Sequence, residues 1–280
     1  KNNESVRWVP EFVGARRFHN WLEGARDWAI SRNRFWGTPL PIWRCDECGT
    51  VEVMGSIAEL EAKCGETVTD LHKHFVDHHS WECSECGAPM KRVSEVLDCW
   101  FESGAMPYAQ NHYPFENKEM VERNLPAHFI AEGLDQTRGW FYTLMVLSTA
   151  LFDRPAFKNV IVNGMILAED GRKMSKSLRN YPDPDAVINA HGADALRAYL
   201  INSPVVRAEP MRFTERGVRD VVRSVILPLY NANSFFLTYA NVEKWTPPET
   251  SSPVAERALM DRWVLSMVQS LVRDVNTEME

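Results

Sequence analysis

Two matched cysteine patterns mark where this chain could do metal chemistry. Cys45 and Cys48 lie in C-D-E-C-G, Cys83 and Cys86 lie in C-S-E-C-G, and 34 residues separate Cys48 from Cys83. Each knuckle curls its backbone so that two thiolates face one cation. Gly49 and Gly87 relieve the tight turn, and four sulfurs complete a tetrahedron. A closed four-thiolate set leaves no open coordination position, so its expected role is structural. Zinc is favoured over iron because the intervening segment lacks other redox features. Four unliganded thiols would be the plainer reading, but two matched knuckles argue against it. Cys64 and Cys99 are left over and are expected to be plain buried thiols. The run HKHFVDHHS holds His72, His74, His78 and His79. An exposed polar turn explains it as well as metal binding does, and no ligand is assigned there.

A second place for chemistry is NGMILAEDGRKMSKSLRNYPDP. A strand ends there, Asp170 and Gly171 make a turn, and Lys173 and Lys176 flank Met174 and Ser175 on an exposed loop. Two lysines at that spacing reach a single anion. No G-x-G-x-x-G and no G-x-x-x-x-G-K-[ST] occurs, so any nucleotide chemistry must come from elsewhere than the common phosphate loops.

The elements that position these residues follow from periodicity. Residues 21–43 begin polar-apolar and continue as SRNRFWGTPLPIW, where Gly37, Pro39 and Pro41 favour extended backbone, so a helix leading into a strand or loop is expected. Residues 44–92 show little periodicity and read as a small insert held by metal and not by a core. From 126 to 205 the order is strand, helix, strand, loop, helix: AHFIAEG and KNVIVNG are short and apolar, and DQTRGWFYTLMVLSTALF is long and apolar. That alternation predicts α/β architecture with a parallel sheet and crossover helices. After Phe213 apolar residues recur at helical spacing, with Thr214 as N-cap and Glu215 in the first turn. The chain should turn all-helical near residue 210, with a loop over 244–254 and a further helix from about Ala255. Composition agrees with a globular protein, at 45% hydrophobic and 25% charged residues. No apolar run suits a membrane span and no signal peptide is visible, so a cytoplasmic protein is expected. The formal charge of -7 restricts nucleic-acid contact to local patches, such as Arg207, Arg212, Arg216, Arg219 and Arg223. The opening residues carry no start methionine, which suggests a piece of a longer chain.

The string KMSKS at Lys173–Ser177 resembles the signature loop of class I aminoacyl-tRNA synthetases. ISRNRFWGTPLPIWRC, LDCWFESGAMPY, AEGLDQTRGWFYTLMVLSTALF and GADALRAYLINSP follow in the order found in the isoleucyl-tRNA synthetase family, so the resemblance spans nearly the whole chain. GLDQTRGWF is similar to the isoleucine version of an element that differs in the valine and leucine enzymes. The resemblance implies a Rossmann-like fold of which residues 1–206 form the second half, with the zinc-knuckle insert at about 44–92. It implies that residues 207–280 begin a helical anticodon-binding domain.

Residue roles are carried over with the resemblance. It implies that Lys176, with Lys173 and Ser175, stabilises the pyrophosphate of ATP as adenylate forms, and that Met174 lies in the ATP site. Phosphoryl chemistry needs charge neutralisation and positioning more than a protein nucleophile, which suits two lysines on a loop. It further implies that Glu132, Gly133, Asp135 and Gln136 line the adenylate site and that Trp100 and Trp140 wall the isoleucine side chain. The plainer reading of Asp135 is a helix cap. Implied ligands are ATP with Mg2+, L-isoleucine and tRNA(Ile), with structural Zn2+ on the four cysteines. A monomer that does not engage membranes is expected. A separate editing domain is implied too, because a single methylene discriminates weakly. In the family that domain precedes the position matching the start of this chain, as does the H-I-G-H motif. The chain by itself is therefore expected not to activate isoleucine.

Overall fold

The computed structural model describes residues 1–279. They divide into two compact units, Lys1–Val221 and Val222–Glu280. The first is mixed α/β. Its central sheet has three parallel strands, with Asn159–Asn163 between Arg7–Val9 and Ile130–Gly133. Gly133 pairs with Asn163, so the two neighbouring strands end level at one edge. The helix Trp140–Phe152 connects them, as a parallel pair requires.

Val6, Trp8, Val13, Phe18, Phe141, Leu144, Met145, Phe157, Val160 and Val162 form one buried cluster under this sheet. Its central aromatic is Trp8, whose ring meets Phe18, Phe141 and Phe157 and whose indole N–H donates to Asn3 Oδ1 at 2.9 Å. The alternating burial of Val160 and Val162 matches the β-branched pattern of KNVIVNG.

The helix Cys99–Ala109 packs against Trp140–Phe152 with almost no gap at Gly104. A Cβ there would stand 2.9 Å from Leu147 Cδ1 and 3.0 Å from the Thr143 backbone. Gly104 thus lets the two helices approach closely, which fixes Trp100 relative to Trp140.

The cysteine insert departs from expectation. It is a four-stranded antiparallel sheet of Val51–Val53, Ile42–Cys45, Pro89–Arg92 and Trp81–Glu82, followed in space by the helix Ile57–Cys64. It has a core of its own: Trp43, Cys45, Leu60, Val68, Cys83 and Met90 are buried together. The Trp43 indole N–H donates to the His79 carbonyl at 2.8 Å. A core was missed because the segment supplies few apolar residues, and one large ring, Trp43, does much of the filling. Cys64 is only half-buried and Cys99 is exposed, so neither is the buried thiol expected.

Further helices of the first unit are Pro184–His191, Ala193–Ile201 and Glu215–Val221. Thr214 caps the last of these, accepting from Gly217 N at 3.2 Å. In the second unit the helices Leu227–Val242 and Leu259–Met279 dominate, as the periodicity predicted, although the latter begins after a short 3-10 turn at Val254–Glu256. No helix among the described residues is long and apolar enough to cross a membrane.

Candidate functional site

The two knuckles are built alike down to their hydrogen bonds. Gly49 N donates to Cys45 O at 3.0 Å and Gly87 N to Cys83 O at 2.8 Å, while Cys45 N and Cys83 N donate to Thr50 O and Ala88 O. Both glycines sit in the left-handed region, φ +76° and +75°, which a side chain would disfavour. The four sulfurs come together: Cys45 and Cys86 Sγ lie 3.4 Å apart, Cys48 and Cys83 Sγ 3.6 Å apart, and all four within 4.8 Å. A tetrahedral zinc with bonds of about 2.3 Å has sulfur–sulfur edges of about 3.8 Å, so the donor set fits such an ion with little movement.

Protons on the cluster are unevenly held. Hydrogen bonds from the Thr50 hydroxyl and backbone, helped by the Cys86 thiol, draw Cys48 down to about 6. At Cys86 the Ala88 backbone pulls downward, yet hydrogen bonding with Cys45 and Cys48 pushes the group up to about 12. A cation binding to the four sulfurs would displace the protons that remain on them.

The second constellation grows from the level edge of the parallel sheet. Strand Ile130–Gly133 ends in a short 3-10 turn, Leu134–Arg138, before the helix Trp140–Phe152. Glu132 and Asp135 are exposed, and Gln136 is half-buried. Asp135 does not cap the helix. The residue before it is Gly139, and Gln136 Oε1 accepts from Trp140 N at 2.9 Å. Asp135 is thus left out of the capping bond and stays exposed just after the carboxyl end of a parallel strand.

Trp100 meets this turn from the other side. Its ring lies over Gly139, whose Cβ position would be 3.2 Å from Trp100 Cη2 and 2.7 Å from Gln136 Oε1. Trp140 donates its indole N–H to Ser103 O at 3.0 Å. Trp100, Gln136 and Trp140 are therefore gathered around one glycine. Trp100 is 42% exposed and rims a cleft of about 470 Å³ lined by Arg32, Arg34, Trp36 and Glu102.

What holds Trp100 there is a residue that sequence reasoning passed over. Asp98, buried, caps the helix by accepting from Trp100 N at 3.2 Å. It also accepts from the Trp28 indole at 3.0 Å and pairs with Arg32. Burial works against its ionisation, but the bonds from Trp28 and Trp100 and the Arg32 charge outweigh it and hold its pKa below the usual value. The signal was present in LDCWFESG, where Asp98 stands directly ahead of a helix.

The lysine loop leaves the same sheet edge from the neighbouring strand. Asn163 is followed by the short strand Ile166–Leu167, which pairs with Met211–Arg212, and then by the loop. Asn180 pins it from within: its Oδ1 accepts from Ser175 N at 2.9 Å and its Nδ2 donates to Lys173 O at 3.1 Å. Ser175 and Ser177 hydroxyls lie 2.7 Å apart. Met174 lines an apolar cavity of about 230 Å³ with Tyr181, Pro184, Leu196 and Phe213, which anchors the loop backbone. Lys173 and Lys176 remain exposed, and neither side chain forms an ion pair among the described residues. The two constellations thus start from adjacent strand ends, although no hydrogen bond joins them among the described residues.

Residues 1–212 match the family model for tRNA synthetases class I (I, L, M and V). The chain is 55% identical to the isoleucine--tRNA ligase of Treponema denticola over 99% of its own length, and 60% identical to that of Chlamydia trachomatis over 97%. It spans about a quarter of the length of these relatives, 26% in each case. Its fold is similar to a Mycobacterium tuberculosis methionyl-tRNA synthetase in complex with methionyl-adenylate, with a TM-score of 0.63, 19% identity, and coverage of 98% of this chain and 43% of that one. With the level strand ends, the gathered tryptophans and the lysine loop all in place, the chain belongs to the class I tRNA synthetases of the isoleucine, leucine, methionine and valine group.

Proposed function

We propose that this chain contributes the second half of the active site of an isoleucine--tRNA ligase, which activates L-isoleucine with ATP and passes it to tRNA(Ile). The observation that carries this reading is the identity of 55% and 60% to isoleucine--tRNA ligases across almost every residue. The geometry agrees with it. Lys176 and Lys173, unpaired and exposed, neutralise the charge that develops on the leaving pyrophosphate, and Ser175 and Met174 hold the loop that presents them. Glu132, Gly133, Asp135 and Gln136 bind the ammonium and the ribose of the adenylate at the carboxyl edge of the sheet. Trp100 and Trp140 give the branched alkyl chain flat, rigid walls that bury apolar area without flexibility.

Such walls reject valine weakly. One methylene is worth about 1 to 3 kcal/mol, an established value for enzymes that sort isoleucine from valine. Mg2+ accompanies ATP and supplies charge neutralisation there. Zn2+ on Cys45, Cys48, Cys83 and Cys86 is structural, since all four positions around it are taken. The working state is a monomer in the cytoplasm.

The test is amino-acid-dependent exchange of pyrophosphate into ATP by the full-length protein, comparing isoleucine with valine, leucine and methionine. Strong exchange with isoleucine and weaker exchange with valine is the expected result. Preference for leucine or methionine would move the protein within the family, and no exchange with any of the four would leave a metal-bearing binding module.

A further inference from the structure

A second cluster of metal-ligating side chains lies between the knuckles and is used by nothing described so far. The segment after the helix Ile57–Cys64 brings Glu66 against His78 and His79, just ahead of the strand that leads to Cys83. Glu66 Oε2 stands 3.0 Å from His79 Nδ1 and 3.6 Å from His78 Nε2. A tetrahedral zinc ion with bonds of about 2.0 to 2.1 Å has donor–donor edges of about 3.3 Å, so these separations bracket what one ion requires. Two imidazoles and a carboxylate are also a donor set that suits zinc.

The independent observation is His79 itself. Only 5% of its side chain is exposed, and its Nδ1 is fully buried, with Glu66 Oε2 3.0 Å away but not aligned for a hydrogen bond. A cation between the two would satisfy the buried nitrogen and the carboxylate together. The backbone that carries the ring is held as well, because the His79 carbonyl accepts the Trp43 indole N–H in the core of the insert. Of the histidines in HKHFVDHHS, His72, His74 and His78 are exposed and His79 is buried.

We propose that Glu66, His78 and His79 form a second zinc site, with three protein ligands and one position open to solvent. It is distinct from the four-thiolate site and weaker than it, because Glu66 and His78 are each 60% exposed and must be ordered on binding. The ion joins the loop after Cys64 to the turn before Trp81. It staples the excursion that separates one knuckle from the other.

The test is titration of zinc chloride into the protein already carrying one equivalent in the four-thiolate site, followed by calorimetry. A second equivalent is expected for the wild type. Glu66→Gln and His78→Ala should each weaken it at least tenfold, and His74→Ala, in the same run but outside the cluster, should leave it unchanged. Glu66 and His78 are exposed, so both variants keep the buried core intact, and an unchanged thermal midpoint without the second ion checks this. Cobalt separates the two sites by spectrum, since the first equivalent gives thiolate-to-metal charge transfer and the second should add only weak ligand-field bands. Absence of a second equivalent in the wild type, less than tenfold weakening in both variants, or thiolate bands growing with the second equivalent would each overturn the proposal.

Discussion

The cysteine knuckles and the Lys173–Ser177 loop both gather charge on tight turns, but they are held in contrasting ways. The knuckles repeat one hydrogen-bond scheme twice and place four sulfurs within 4.8 Å on a sheet with its own core. The lysine loop has no such closure. One asparagine and one half-buried methionine hold its backbone, and both ammonium groups stay in solvent. A structural centre needs donors preset around an ion that never leaves. A loop that meets a transient polyphosphate needs cations that are poorly satisfied until the ligand arrives. Mutations should therefore separate cleanly: changes at the knuckles cost stability, and changes in the loop cost rate.

The largest effect is expected for Cys83→Ser, because Cys83 is both a ligand and part of the buried core. Loss of the tightly held ion, together with about 3 kcal/mol or more of stability, should lower the thermal midpoint by roughly 6 to 12 °C. Metal analysis and calorimetry on the same sample check this. An unchanged midpoint after the metal is gone would erase the contrast, since the insert would then stand on its core alone.

Lys176→Ala should do the reverse. Removing one preorganised cation from a developing anion costs on the order of 10²- to 10³-fold in rate, about 2.7–4 kcal/mol. Pyrophosphate exchange by the full-length protein should fall by that amount with no shift in midpoint. A variant that melts early and keeps its rate would show the lysine to be structural.

Asn180→Ala sharpens the same division. It removes two hydrogen bonds from the loop backbone and touches no ligand, so a fall of about tenfold is expected, from about 1.4 kcal/mol of lost ordering. Saturating ATP should recover part of it, because the ligand then helps to order the loop.

The sequence displayed these parts unequally. Knuckle spacing, the parallel strands of AHFIAEG and KNVIVNG, and the Thr214 cap were legible because each follows from local chemistry at fixed offsets. The core around Trp43 was not, since it is assembled from Leu60, Val68 and Met90, which are far apart in the chain and show no period. Gly104 looked like any glycine inside an apolar helix, and only the opposed Leu147 and Thr143 explain it. Asn180 and Asp98 were hidden for a related reason. Their bonds reach Ser175, Lys173, Trp28 and Arg32, and no propensity records a partner that folding supplies.

The smallest expected effect tests a residue that shares both characters. Asp98 is a buried anchor, yet what it anchors is Trp100 at the mouth of the cleft. Its folded pKa is depressed, so its charge contributes stability at pH values above the ordinary carboxylate range. That contribution is lost as pH falls through the lowered folded value. Arg32 is 37% exposed, which screens the pair and limits the gain to about 1 kcal/mol. Asp98→Asn should therefore melt roughly 2 to 4 °C below the wild type at pH 7, with the gap closing below about pH 3.8. Because Trp100 loses its fixed cap, the same variant should raise the KM for isoleucine more than that for ATP. A pH-independent gap in melting would assign the residue to packing alone, and equal changes in both KM values would detach Trp100 from the amino-acid pocket.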